Sequence, residues 1–219
     1  MTPTTDTDTD TDRIIEVARQ AAAAEARAVG AVSEEIDDSL VDVLRLIRSR
    51  DGKVLVTGAG TSGTVARRMA HLLSVSGTPS LFIHPMDALH GTMGAIEPDD
   101  VLIALSKGGE SDEINQLCAL VRRKGTAVVG IGERPQSTFA GVCDIFVCLH
   151  TADGGDPRNV LAMGSTLVAA AWGDALTRAL MHVNSWTLSE SLEIHPAGAV
   201  GKAARHLPTT GVPTDGSPS

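Results

Sequence analysis

Two loops in this sequence combine glycines with hydroxyl residues in the way an anion cradle requires. The first runs Val54-Leu-Val-Thr57-Gly58-Ala59-Gly60-Thr61-Ser62-Gly63, from a β-branched stretch through glycines into a helical pattern. Glycines let the backbone approach an anion closely, and a helix start offers unpaired N–H groups and the positive end of the helix dipole. Gly60, Thr61 and Ser62 are the candidate contacts there. The second loop, Ala104-Leu105-Ser106-Lys107-Gly108-Gly109-Glu110, also precedes a helical stretch, whose first turn carries Asp112 and Glu113. Ser106 and Lys107 are its candidate contacts.

Gly58, Gly60 and Gly63 also satisfy GxGxxG, the dinucleotide fingerprint, which by itself is weak. A dinucleotide site needs an acid at the end of the second strand for the ribose hydroxyls. That stretch reads Ile83-His84-Pro85-Met86-Asp87, with the acid late. The Ser62 hydroxyl suits a single phosphate better. A purely structural glycine turn, and an N-cap serine at the second loop, are the plain alternatives.

These loops must be held by the elements around them. Short β-branched runs lie at Val54–Val56, Leu81–Ile83, Val101–Ala104, Val128–Ile131 and Ile145–Cys148, with helical stretches between. Strands alternating with helices imply βαβ crossovers. The fold expected is α/β, a three-layer sandwich around a doubly wound, five-stranded parallel sheet. In such a sheet the loops leaving the strand C-termini share one edge, where ligands bind. Before the strands, Ile36, Leu40, Val43, Leu44 and Ile47 recur at helical spacing after an Ala-rich stretch, which reads as a separate helix broken near Gly30. Leu161 to Met181 is apolar nearly all round, so that helix belongs in the interior or a subunit interface. The domain reading is a disordered Thr-Asp tail over residues 1–12, one domain over 13–206, and a flexible tail over 207–219.

Composition narrows the class. The 219 residues suffice for one domain with a real core, and the 42% apolar fraction is ordinary. Aromatics are 2%, and the net charge is −9, which argues against a nucleic-acid partner and an anionic membrane. An anionic ligand must then be held by local dipoles. Cys118, Cys143 and Cys148 have no ligand spacing and read as reduced core residues. There is no leader pattern and no apolar run of membrane-spanning length, so a cytoplasmic protein is expected.

Further signals follow in order: Gly77-Thr78-Pro79, His84-Pro85-Met86-Asp87-Ala88-Leu89-His90-Gly91, Ser137 and Ala140, Gly173-Asp174-Ala175-Leu176, and His195-Pro196-Ala197-Gly198. With the two loops, they resemble the sugar-isomerase (SIS) domain of arabinose-5-phosphate isomerases, from about residue 35 to about residue 203. The resemblance implies a phosphosugar aldose–ketose isomerase working through a cis-enediol, with no cofactor or metal. It also implies a homo-oligomer, by resemblance a tetramer, without the paired CBS domains that larger members carry after the HPxG segment. Carried over by position, Glu113, His90 and His195 take ring opening, proton transfer or substrate contact. In the family the histidine matching His195 reaches the site from a neighbouring subunit. Ser62, Ser106, Ser165 and Thr166 match the hydroxyls around the phosphate.

The types suit the chemistry, because a carboxylate and imidazoles can move protons near neutral pH. Each also has a plain structural reading: Glu113 favours its own helix dipole, His90-Gly91 braces a loop, and His195-Pro196 makes a turn. Several family positions differ here. Thr61 stands where a lysine is usual, Lys107-Gly108 where a neutral residue and a serine are, and Gly154 where a further glutamate is, with Asp153 and Asp156 beside it as substitutes. A catalytically silent sugar-phosphate-binding module is therefore the second reading.

Overall fold

The computed structural model describes residues 6–195 and residue 197. In chain order the elements are α1 (Asp6–Glu35), α2 (Asp38–Arg48), β1 (Val54–Gly58), α3 (Gly60–Val75), β2 (Ser80–Phe82), α4 (Pro85–Leu89), β3 (Val101–Leu105), α5 (Asp112–Arg123), β4 (Ala127–Gly132), α6 (Thr138–Val142), β5 (Ile145–Cys148), α7 (Gly164–Val183) and α8 (Leu188–Glu193).

The five strands form one sheet in the order β2-β1-β3-β4-β5, every pair parallel. β1, β3 and β4 are buried along their whole length. That is why their sequences read as continuous apolar runs instead of alternating ones. Alternate side chains feed two cores. Val54, Val56, Val101, Ile103, Val129 and Ile131 pack on the side of α1, α2, α3 and α7. Leu55, Leu102, Ala104 and Val128 pack with Ile114, Leu117 and Val121 of α5 and Phe139 of α6. The three-layer α/β sandwich expected from the sequence is the fold.

Local chemistry explains the helix boundaries. Asp37 caps α2, its Oδ1 accepting from Ser39 N at 2.9 Å and from Ser39 Oγ at 2.6 Å. Leu40, Val43, Leu44 and Ile47 then form its buried stripe. The expected break near Gly30 is not there, and α1 continues through that glycine to Glu35. An interior glycine costs only about 1 kcal/mol, and Ala24, Ala28 and Val32 are buried on both sides of it. α1 also begins inside the Thr-Asp stretch expected as a disordered tail, where acidic residues favour a helix N-terminus. The tail expected over residues 207–219 lies outside the described residues.

α7 starts at Gly164, three residues later than its apolar run, and buries Val168, Trp172, Leu176 and Leu180. Each such side chain contributes roughly 1.5–3 kcal/mol by leaving water. Cys118 is buried and Cys143 half-buried, all three cysteines are free, and burial pushes the Cys143 thiol up to about 12. At the N-terminal edge of the sheet, buried Asp100 accepts from Lys53 N, Lys53 Nζ and Glu97 N at 2.9, 2.7 and 2.8 Å. That edge is closed by its own hydrogen bonds. Among the described residues no helix is long and apolar enough to cross a membrane.

Candidate functional site

The opposite, C-terminal edge is open. Strand order reverses between β1 and β3, and the crossovers leaving them cover opposite faces of the sheet. This leaves a crevice at the switch point, where ligands of open α/β sheets bind. Two adjoining hollows lie there, of about 370 Å³ and about 620 Å³. Ser62, Leu105, Ser106 and Lys107 border both. The first extends to Glu133, Thr151, Ser165 and Thr166, and the second to Ala59, Gly109 and Glu110.

The first loop is shaped by contact between backbones. A Cβ on Gly63 would lie 2.7 Å from the Gly58 carbonyl oxygen, so any side chain there would push α3 off β1. Ala59 is the N-cap and offers no side-chain acceptor. The first-turn amides of α3 are therefore left without a capping side chain, beside Ser62.

The second loop turns at Gly109, whose φ of +74° is left-handed, and a Cβ there would collide with Ser137. Its carbonyl accepts from Phe139 N and Asn115 Nδ2, both at 3.1 Å. Ser111, the N-cap of α5, makes no capping bond with its side chain. Two uncapped helix starts thus flank one crevice. Exposed Glu110 is tied to Thr138 N at 3.0 Å, a bond that holds its carboxyl below the usual range.

The third wall comes from the segment between β5 and α7. Asp156 is buried, and its Oδ1 accepts from Met163 N at 2.8 Å and Ser165 N at 3.0 Å. Lys107 Nζ donates to Asp156 Oδ2 at 2.5 Å and to Asn159 Oδ1 at 2.6 Å. Burial alone would raise the Asp156 carboxyl, but the Lys107 ammonium, the neighbouring Ser165 hydroxyl and the two amides outweigh it and bring it to about 2. At the start of α7, unlike those of α3 and α5, a carboxylate side chain already accepts from the backbone amides. Thr166 Oγ1 donates to Met163 O at 2.7 Å. Ser165 Oγ is buried and makes no hydrogen bond of ordinary geometry. A buried hydroxyl left so costs roughly 1–3 kcal/mol unless a ligand satisfies it.

Of the residues singled out from sequence, Ser62, Ser106, Lys107, Ser165 and Thr166 come together at the first hollow. Gly60 and Thr61 are exposed on the first turn of α3 and line neither hollow. Lys107 borders the hollows, but its ammonium is directed at Asp156 and Asn159. Asp156, one of the two substitutes for a carboxylate at Gly154, is committed to Lys107 and to the start of α7, while Asp153 is exposed. Glu113 is half-buried in the first turn of α5, and His90 is exposed at the end of α4; neither lines a hollow.

His195 lies elsewhere. Its Nδ1 is 2.5 Å from Ser191 O, and Ser191 Oγ accepts from Trp186 Nε1 at 2.7 Å. The Trp186 ring in turn packs on Gly77, just before β2. That places His195 by the N-terminal edge, across the sheet from the hollows. Pro196 and Gly198 of the HPxG segment lie outside the described residues.

The model of the SIS domain family matches residues 46–175, which contain both glycine loops, the switch point and most of α7. This chain belongs to the SIS domain family. KpsF, an arabinose 5-phosphate isomerase of Escherichia coli, is 36% identical over 190 residues, covering 86% of this chain and 58% of the relative. KdsD, the arabinose 5-phosphate isomerase of Pseudomonas aeruginosa, is 35% identical over 188 residues, with the same coverage of 86% and 58%. The chain thus spans less than two thirds of the length of these curated relatives. Among solved structures, a candidate sugar-phosphate isomerase from Listeria monocytogenes superposes with a TM-score of 0.80 at 34% identity, covering 84% of this chain and 97% of that one. An Escherichia coli protein solved in complex with arabinose 5-phosphate also gives 0.80, at 28% identity, covering 84% and 98%.

Within this SIS domain, Glu133 and Thr151 line the first hollow and Asn159 accepts from Lys107, and the sequence reading passed over all three. Glu133 had one available signal. It follows the fourth strand directly, so it had to fall on the same edge as the loops after the first and third. Thr151 and Asn159 carried none, because the segment between β5 and α7 has no repeating pattern.

Proposed function

We propose that this SIS domain is a phosphosugar aldose–ketose isomerase. The observation that carries the reading is the convergence of Ser62, Ser106, Ser165 and Thr166 from three separate loops on one hollow, with the Ser165 hydroxyl buried and unsatisfied. A phosphate seated among them takes donors from the hydroxyls and from the uncapped start of α3. Similarity to arabinose 5-phosphate isomerases supports a sugar phosphate as ligand.

Anchoring the phosphate orients the sugar chain, so that binding energy far from the reacting carbons serves the chemical step. Isomerisation then needs a base to move a proton between neighbouring carbons and acid–base groups at the two oxygens. Of the sequence-derived groups, Glu113 and His90 stand on the ligand edge, and His195 joins them from a neighbouring subunit of a homotetramer. The apolar residues exposed at the lip, Val160, Leu161, Met163 and Leu167, support burial of this rim in an assembly. The compartment proposed is the cytoplasm.

The test is to incubate the purified chain with arabinose 5-phosphate, and with a hexose and a tetrose phosphate, and to measure ketose formation beside thermal-shift binding. Turnover of one of them supports the isomerase. Binding without turnover favours the silent module, for which the replacement of family charges by Thr61 and Gly154 argues. Binding of nucleotides in preference to phosphosugars would reject both.

A further inference from the structure

We infer that Glu133 is a proton-transferring carboxylate of the site, supplied from the end of β4. The inference rests on the isomerase reading above and assigns within it the group that carries the carbon-bound proton. Among the described residues, exposed Asp112 and Asp153 aside, four carboxylates are near the crevice. Asp156 is saturated by Lys107 and two backbone amides. Glu110 is exposed and tied to Thr138, and Glu113 lines neither hollow. Glu133 lines the hollow that holds the four hydroxyls.

Its geometry is that of a held base. The backbone N–H donates to Lys107 O at 3.0 Å, fixing the residue beside the β3 loop. Oε1 accepts from Thr151 N at 3.0 Å and from Thr151 Oγ1, so the carboxylate plane is set from one side. Oε2 accepts no hydrogen bond among the described residues and faces Lys107 Nζ at 3.8 Å. One oxygen is anchored and the other is free to take a proton, a few ångströms from an ammonium. The side chain is 21% exposed, so a bound sugar chain would shield it from water.

The step balances within the substrate. Glu133 Oε2 removes the proton from C2 of the aldose, the C–H electron pair becomes the C1=C2 bond, and O1 gains a proton, giving the cis-enediol. The same carboxyl then returns its proton to C1 while O2 gives up its own, leaving the ketose. C1 is reduced and C2 oxidised, with no outside reagent.

The experiment uses the full chain with arabinose 5-phosphate, ribulose 5-phosphate and fructose 6-phosphate in deuterated solvent, reading deuterium incorporation next to the carbonyl beside binding affinity. Glu133→Gln keeps an acceptor for Thr151, and it is expected to lose exchange by about 10²–10⁴-fold with affinity within about threefold of the unmodified protein. Glu133→Asp keeps the charge but withdraws it by one methylene, and is expected to slow exchange by roughly 10- to 100-fold. It carries the test if the Gln variant fails to fold. Exchange at the unmodified rate in the folded variant overturns the assignment and leaves the isomerase standing. An unmodified protein that binds these sugars and exchanges with none of them overturns both readings.

Discussion

Lys107 and Asp156 are joined at 2.5 Å, tying the loop after β3 to the start of α7 across the mouth of the site. Asp156 Oδ1 meanwhile holds the amides of Met163 and Ser165. One buried carboxylate thus fixes both a lysine of the cradle and the helix turn that presents Ser165 and Thr166.

This pair has a pH signature. In the folded chain the Asp156 carboxyl sits at about 2, below the roughly 3.9 of an unfolded aspartate. The folded state therefore binds fewer protons, and the stabilisation is present above about pH 4 and lost as pH falls toward 2. Its size is on the order of 2 kcal/mol. Urea unfolding of the unmodified chain and Asp156→Asn should show a gap of that order at pH 7 which closes by pH 2. A gap that does not change with pH would reject the pairing.

The hydroxyls should discriminate phosphate from sugar. Ser106→Ala or Ser165→Ala should weaken arabinose 5-phosphate binding by roughly 10-fold or more, as for hydrogen bonds to a charged group. Binding of unphosphorylated arabinose should change little. Calorimetry of both ligands decides, and equal losses for the two would contradict the assignment.

His195 should act across an interface. Because Ser191 and Trp186 hold it by the N-terminal edge, His195→Ala should be inactive yet bind phosphosugar through its own intact hollow. Mixing it with Glu133→Gln subunits, after dissociation and reassembly, should restore part of the activity. Light scattering that finds a monomer at micromolar concentration, or mixtures that stay inactive, would dismiss the shared site.

Gly63 is the sharpest backbone test. Its Cβ would meet the Gly58 carbonyl at 2.7 Å, so Gly63→Ala must open the β1–α3 contact. A loss of about 1–3 kcal/mol is expected from this overpacking, together with weaker phosphosugar binding. An alanine variant with unmodified melting temperature and affinity would show that the approach is not required.

The sequence by itself determined the sheet. Continuous apolar runs such as Val101–Leu105, separated by helical periods, leave a parallel sheet covered on both faces as the way to bury them, and parallel connectivity then sends every βα loop to one edge. Ser62 and Ser106 were legible for that reason, since their loops follow strands directly. What only the tertiary structure decided is who stands opposite whom. Strand order puts β4 beside β3, and so Glu133 beside Lys107, although nothing in the sequence links the two. The segment between β5 and α7 has no period to read, so Asp156 as the partner of Lys107, and not as a spare catalytic acid, appears only once distance is known. Sequence pattern records which surfaces must be buried, whereas the direction of one ammonium depends on side chains brought together from separate strands.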